Sequence, residues 1–104
     1  MLKSIVKSIG TGNYLVTRHA KEEMIVDNLT LADILTSVNR GRIIEGYPED
    51  FPFPSCLIFG KNDKGEPKHT VWGYDRERKL AILITTYRPD PERWIDFKKR
   101  RWNL

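Results

Sequence analysis

Hydrophobic and polar residues follow two different periods along the chain, and the change occurs near Gly41. Before that glycine, apolar residues recur every three or four positions, which is typical of amphipathic helices. After it, β-branched and apolar residues form short runs separated by Gly, Pro, Asn and Asp, as in strands joined by turns. The pattern predicts helices followed by a sheet, an α+β fold.

Three helices are predicted before Gly41. They run from Leu2 to Ser8, from Arg18 to Val26 and from Leu31 to Arg40. Thr17 and Thr30 are suitable N-cap residues for the second and third helices, and Thr30 with Asp33 resembles a capping box. We expect the third helix to bury one apolar face, which consists of Leu31, Ile34, Leu35 and Val38.

Four strands are predicted after Gly41. They are Arg42 to Tyr47, Ser55 to Gly60, Lys68 to Tyr74 and Lys79 to Tyr87. Their short connections predict a four-stranded antiparallel meander with the helices packed against one face. After Pro89 and Pro91, a short C-terminal helix or tail is predicted. The helix would be amphipathic, run from Glu92 to Arg101 and carry Trp94 and Phe97 on one face.

The chain length of 104 residues fits a single domain, 1–104, with a basic tail at 96–104. No apolar run reaches the roughly 20 residues of a membrane span, and the first residues lack the features of a signal peptide, so we expect a cytoplasmic protein without membrane contact. The single cysteine, Cys56, forms no spaced ligand pattern with the two histidines. We therefore expect no structural metal and no cofactor.

The positive charge is concentrated at one end of the chain. The net charge is +4, and Lys98, Lys99, Arg100 and Arg101 account for all of it. These residues lie beside Trp94, Phe97 and Trp102, which is an arrangement suited to phosphate contacts and base stacking. A solvated tail without a ligand is an equal alternative.

Few side chains of this sequence can transfer protons near neutral pH. His19 lies in the first turn of the second helix beside Arg18 and Lys21, where an anion such as phosphate is favoured. The alternative for His19 is a surface histidine bonded to a glutamate of its own helix. His69 begins the third strand, and either packs at the rim of the sheet or faces a cleft.

Tyr87 and Arg88 end the fourth strand beside a loop, where functional side chains are often presented. For Tyr87 an ordinary core position is equally consistent with the sequence. Cys56 lies in a predicted strand, and free cysteines in strands are usually buried, which argues against thiol catalysis.

Several motifs of this sequence resemble the domain-of-unknown-function family 4258. They are Thr17–Met24, Leu31–Leu35, Gly41–Glu45, Tyr47-Pro48, Pro54–Leu57, Pro67–Val71, Tyr74-Asp75 and Ile84–Pro89. The resemblance covers residues from about 14 to 95. It implies a helix and strand order similar to that of bacterial toxins of the RelE, BrnT and MqsR type, which are small metal-independent ribonucleases, and thus a RelE-like fold.

The same resemblance implies functional residues and partners. It marks His19, His69 and Tyr87 as candidate catalytic residues, with Arg18 and Arg88 as companions. It also implies RNA as the substrate and an antitoxin protein encoded nearby, of the zinc-finger MqsA type.

The leading hypothesis from sequence is therefore an RNA-cleaving toxin, in which His19 and His69 supply the base and the acid. Lys21, Arg18, Arg88 and the basic tail would then bind phosphate. The rival hypothesis is a binding module for RNA or protein in which the histidines only complete hydrogen bonds. The ribonuclease hypothesis predicts that His19, His69 and Tyr87 converge on one basic surface.

Overall fold

The helices and strands follow the order that the change of period predicts, with one additional strand and a different C-terminal segment. The computed structural model describes residues 1–101, so the predicted role of Trp102 lies outside the described residues. The helices are α1 (Leu2–Gly10), α2 (Arg18–Val26) and α3 (Leu31–Asn39). The strands are β1 (Tyr14–Val16), β2 (Arg42–Tyr47), β3 (Ser55–Lys61), β4 (Pro67–Asp75), β5 (Leu80–Tyr87), β6 (Trp94–Ile95) and β7 (Lys99–Arg100).

Both predicted N-caps are confirmed. The Thr17 hydroxyl accepts a hydrogen bond from the Ala20 amide at 3.1 Å, and the Thr30 hydroxyl accepts one from the Asp33 amide at 3.1 Å. Each bond satisfies an amide that the first turn of a helix leaves without a partner. None of the helices within residues 1–101 has the length and hydropathy needed to span a bilayer.

The main sheet has five strands in the order β1-β5-β4-β3-β2. Strands β2 to β5 form the predicted antiparallel meander, but the prediction of a four-stranded sheet is wrong, because β1 joins it in parallel with β5. Val16 pairs with Leu83, and the Thr17 amide donates to the Leu83 carbonyl at 3.1 Å. Three residues are too few to reveal a period of two, so the sequence pattern does not indicate β1.

Apolar side chains of the helices fill one face of this sheet. Ile34 and Val38 of α3 are fully buried and share a core with Trp72 and Leu83 of the sheet. Leu35 is partly buried. The expectation for Leu31 is wrong, because this first residue of α3 is 36% exposed.

Gly60 of β3 allows α3 to lie close to the sheet. A Cβ atom at position 60 would lie 1.8 Å from the carbonyl oxygen of Ser37, which is far inside van der Waals contact. The close approach of α3 therefore requires glycine at this position.

The predicted C-terminal helix from Glu92 to Arg101 is wrong, because this segment contains the β6–β7 hairpin. Asp96 and Phe97 at its tip have φ angles of 52° and 61°, in the left-handed region that a right-handed helix excludes. The Lys98 amide closes the turn by donating to the Ile95 carbonyl at 3.0 Å. The hairpin lies over His69, on the face opposite the helices.

Candidate functional site

His69 lies at the centre of the contacts between the hairpin and the sheet. It pairs with Phe59 on β3 and with Tyr87 on β5, so the three side chains share the face opposite the helices. The Trp94 ring of the hairpin meets the imidazole edge to face, with ring centres 4.4 Å apart. These contacts leave His69 with an exposed fraction of 0%.

Both imidazole nitrogens of His69 are hydrogen bonded. Nε2 lies 2.6 Å from the Phe97 carbonyl oxygen, which can only accept, so Nε2 carries the hydrogen. In the neutral ring, Nδ1 is then an acceptor, and the Tyr87 hydroxyl donates to it at 3.2 Å. Burial lowers the pKa of His69, although the Phe97 carbonyl and Glu45 act in the opposite direction, and the neutral form is favoured.

A second set of contacts joins the hairpin to β2. Arg100 donates two hydrogen bonds to the Glu45 carboxylate, from Nε at 2.7 Å and from one terminal nitrogen at 3.0 Å. The Arg100 guanidinium also lies over the Trp94 ring, 4.7 Å from its centre. Arg100 holds the pKa of Glu45 below its usual value, and burial together with Glu45 raises the pKa of Tyr47 to about 12.

A pocket opens beside these contacts, with a volume of about 570 Å³. It is lined by two aromatic residues, four arginines and two carboxylates: Tyr87, Trp94, Arg88, Arg93, Arg100, Arg101, Asp90 and Glu92. We refer to it as the arginine pocket. Its lining carries more positive than negative charge, which favours an anionic ligand. Tyr87 is half-buried there, and burial raises its pKa.

The arginines of the pocket differ in how firmly they are held. Arg88 donates to the carbonyls of Asp27 and Asn28 at 2.8 and 3.1 Å, which connects the end of β5 to the α2–α3 turn. Arg101 donates from Nε to carbonyls of its own segment. The side chain of Arg93 forms no hydrogen bond or ion pair with any residue of the described range, 1–101.

The basic residues 98–101 of the predicted tail lie in different surroundings. Arg100 and Arg101 line the arginine pocket. The Lys98 ammonium instead lies 5.1 Å from the centre of the Phe59 ring, and Lys99 is exposed.

The residues predicted at the start of α2 lie outside this pocket. His19 is exposed, and its Nε2 lies 3.2 Å from the Thr85 hydroxyl of β5, two residues before Tyr87. Arg18 forms an ion pair at 3.4 Å with Glu22 of its own helix. Lys21 is exposed on the same helix. Of the candidate catalytic residues, His69 and Tyr87 are therefore hydrogen bonded to each other, whereas His19 contacts Thr85, which lies on the same strand as Tyr87.

Sequence reasoning missed Arg93 and Glu45. Arg93 lies in a segment that was expected to be helical, and nothing in its neighbours distinguishes it from a solvated arginine. Glu45 belongs to β2, whereas its partner Arg100 is 55 residues later in the chain. No local spacing rule connects two such positions.

Thiol catalysis and metal binding have less support in this structure. Cys56 is buried, and burial raises the pKa of its thiol to about 11, so the reactive thiolate is disfavoured at neutral pH. Among residues 1–101, no group of three or more His, Cys, Asp or Glu side chains is placed to hold a metal ion.

Comparison with known proteins gives a family. A family model described as Domain of unknown function (DUF4258) matches residues 16–88. The chain belongs to this family. The match begins at the end of β1 and ends at Arg88, so this DUF4258 region includes His19, His69 and Tyr87 but not the hairpin. Neither the search of curated proteins nor the search of solved structures gives a match.

Proposed function

We propose that this DUF4258 protein binds RNA in the arginine pocket and cleaves it there, as a ribonuclease toxin of a bacterial toxin–antitoxin pair. One observation carries the proposal: Tyr87, which is hydrogen bonded to the buried His69, also lines a pocket with four arginines. The resemblance to toxins of the RelE, BrnT and MqsR type supports the choice of RNA as substrate.

The charge of the pocket supports phosphate binding. Guanidinium groups bind phosphate oxygens through paired N–H donors. The donors of Arg88 are engaged by the carbonyls of Asp27 and Asn28 and by Glu66, and those of Arg100 by Glu45, so these two arginines contribute mainly positive charge in fixed positions. Within residues 1–101 the guanidinium group of Arg93 has no hydrogen-bond or ion-pair partner, so its N–H donors are available to a ligand. Asp90 and Glu92 also line the pocket and would repel phosphate, so the arginines must outweigh them.

The direction of the hydrogen bonds supports a role for Tyr87 as the base. Because the Tyr87 hydroxyl donates its hydrogen to His69 Nδ1, its oxygen lone pairs can accept the hydrogen of a ribose 2′-hydroxyl. As the 2′ oxygen attacks the adjacent phosphorus, its proton passes to Tyr87 and the Tyr87 proton passes to His69. The bond from phosphorus to the 5′ oxygen breaks, and that oxygen takes a proton from water. The hydroxide left behind then removes the proton from His69 through Tyr87, which restores the neutral imidazole that burial favours.

The products would be a 2′,3′-cyclic phosphate and a 5′-hydroxyl, with no net change in oxidation state. The arginines would stabilise the additional negative charge on the phosphate oxygens. In this scheme His69 is a positioning residue and proton acceptor for Tyr87, and it does not touch the RNA. His19 would join the reaction only if the RNA extends along β5 as far as Thr85.

A non-catalytic RNA-binding module is the second candidate. The specific observation in its favour is that His69 is fully buried with both nitrogens bonded, as expected for a histidine that only fixes a hairpin. Under this alternative the arginine pocket binds RNA, and Tyr87 contributes packing without proton transfer.

The deciding experiment compares cleavage and binding of the same labelled single-stranded RNA. Tyr87→Phe removes only the hydroxyl, and we expect it to reduce cleavage by roughly 10²-fold or more while binding is retained. Arg93→Gln should weaken binding and reduce the slope of log affinity against log salt by about 1. Arg40→Gln, at an exposed arginine that is ion paired with Asp63 outside the pocket, is the matched control and should change neither quantity.

The products and the wild-type protein separate the two candidates. Mass spectrometry should detect the cyclic phosphate and the 5′-hydroxyl, and induced expression in a bacterial host should arrest growth and degrade RNA. Salt-dependent binding by the wild type without cleavage would establish the binding module. An absence of RNA binding would reject both.

A further inference from the structure

Two carboxylates give the arginine pocket a feature that phosphate binding does not explain. Asp90 and Glu92 line it together with the four arginines, although a carboxylate repels phosphate. Asp90 has a role in the backbone, because its Oδ1 accepts a hydrogen bond from the Glu92 amide at 2.8 Å. The Asp90 carbonyl also accepts from the amides of Arg93 and Trp94 at 2.9 and 3.1 Å. These bonds shape the turn before the hairpin, but they do not involve the Glu92 carboxylate.

The Glu92 carboxylate is available to a ligand of the pocket. Glu92 is exposed, and within residues 1–101 its side chain forms no hydrogen bond or ion pair, even though arginines line the same pocket. An ionised carboxylate can only accept hydrogen bonds. Glu92 therefore favours a ligand group that carries N–H or O–H donors, which a phosphate diester lacks.

Arg101 supplies donors close to Glu92. Its Nε donates to the carbonyls of Pro91 and Trp94 at 3.0 and 3.2 Å, which anchors the guanidinium at the residue before Glu92. The terminal nitrogens of Arg101 have no hydrogen-bond partner among residues 1–101, and Arg101 lines the pocket. The pocket therefore offers two acceptor oxygens and a set of N–H donors from neighbouring positions.

Guanine is the RNA base that matches this combination of acceptors and donors. Its Watson–Crick edge presents two adjacent donors, N1–H and N2–H, followed by the acceptor O6. The two oxygens of one carboxylate can accept both donors, while a neighbouring guanidinium donates to O6. Adenine, cytosine and uracil each present a single donor next to an acceptor, so they would place an acceptor against the carboxylate. These edges are free in single-stranded RNA.

We propose that Glu92 and Arg101 recognise a guanine base of the RNA, with Glu92 accepting from N1–H and N2–H and Arg101 donating to O6. This recognition rests on the proposed binding of RNA in the arginine pocket, but it does not depend on whether the RNA is then cleaved. Arg93 remains available for the phosphate of the same strand. Phosphate contacts position the strand and base contacts carry its sequence, so Glu92 weakens the first and provides the second.

The test measures binding of four uncleavable RNAs to the wild-type protein. They are 2′-O-methyl oligomers of uridine in which one central position carries guanine, adenine, cytosine or uracil. Methylation removes the 2′-hydroxyl hydrogen, so cleavage cannot disturb the measurement. The guanine oligomer should bind at least about fivefold more tightly than the other three, which is the lower end of the discrimination that one bidentate contact gives.

Glu92→Gln separates base recognition from simple repulsion. It keeps the size of the side chain and replaces one acceptor oxygen by an NH₂ donor, so it should weaken binding of the guanine oligomer and abolish the preference. A carboxylate that only repels phosphate would instead make the variant bind all four oligomers more tightly by the same factor. Glu49→Gln, at an exposed glutamate outside the arginine pocket, removes the same charge and should keep the preference.

The outcomes distinguish this recognition from the proposed function. Equal binding of the four oligomers by the wild type would overturn guanine recognition and leave RNA binding intact. A guanine preference that survives Glu92→Gln would overturn the role of Glu92. An absence of binding to every oligomer would also reject guanine recognition, and an absence of binding to unmodified RNA as well would reject the proposed function with it. Circular dichroism should show that both variants remain folded.

Discussion

The two faces of the main sheet are covered in different ways. Apolar side chains of three helices pack against one face, whereas the β6–β7 hairpin covers one end of the opposite face and is attached mainly by polar contacts. On the first face, Ile34 and Val38 meet Trp72 and Leu83. On the second, His69 bonds to the Phe97 carbonyl and Glu45 bonds to Arg100. The first arrangement supplies stability, and the second places charged groups around a pocket.

Within the described range, the buried polar atoms that lack a hydrogen bond lie on the apolar face of the sheet and not on the polar face. The helix-covered face includes Lys68, Thr70 and Trp72, which alternate along β4, and each has a buried polar atom without a hydrogen-bond partner among residues 1–101. The hairpin-covered face has His69, with both nitrogens bonded. These three atoms therefore lower stability on the apolar face, whereas the bonded nitrogens of His69 do not carry that cost on the polar face.

The largest expected effect is a loss of folding stability that differs between the two faces. Trp72→Ala should lower the free energy of unfolding by about 3–5 kcal/mol, because it leaves a cavity in the main core. Trp94→Ala should cost less, because the hairpin can detach while the helices and the main sheet stay folded. Urea unfolding followed by circular dichroism measures both. An equal or larger loss for Trp94→Ala would show that the hairpin is part of the main folding unit.

A gain in stability is the next effect in size. Lys68→Met keeps the length of a fully buried side chain and removes an amine whose pKa burial lowers, so it should raise the free energy of unfolding by about 1–3 kcal/mol. Lys61→Met, an exposed position on the neighbouring strand, is the control and should be close to neutral. A destabilised Lys68→Met would mean that the attraction between the amine and the carboxylates of Glu66, Asp33 and Asp27 outweighs the cost of burying the amine.

The smallest effect is a pH dependence from His69. Because the folded state lowers the pKa of His69, the unfolded chain, with a pKa near 6.5, takes up the proton first as pH falls. Stability from this residue should be complete above about pH 6.5 and decrease below it, until pH passes the lower folded pKa. Unfolding curves across this range should show the decrease in His19→Gln and lose it in His69→Gln. The decrease persisting in His69→Gln would assign it to other groups.

Local signals in the sequence predicted the helices and the meander, because the responsible interactions are themselves local. Thr17 and Thr30 cap helices three residues away, and the turns between β3, β4 and β5 are short. The β1–β5 pairing was not predicted, because it joins segments far apart in the chain. The C-terminal hairpin was not predicted, because its strands of two residues are too short to show a period of two. The helical spacing of Trp94 and Phe97 is real, but burial of Trp94 against His69 overrides it.

The candidate site was predicted in part for the same reason. The chemistry of Arg88, Arg100 and Arg101 could be inferred from their type, and the structure brings these three to one pocket with Tyr87. The burial of His69 could not be inferred, because it follows from a hairpin that the sequence pattern presents as a helix. Whether His19 acts with His69 stays a prediction.

Because β1 pairs with β5, this protein cannot complete its main sheet until the ribosome has synthesised most of the chain. Thr17 and its carbonyl partner Ile84 are 67 residues apart, so at about 5–20 residues per second the ribosome needs roughly 3–13 s to supply the missing strand. During that interval Ile5 and Ile9 of α1 have no completed core to enter. The nascent chain therefore exposes its first apolar segment until nearly all of the sheet has been made.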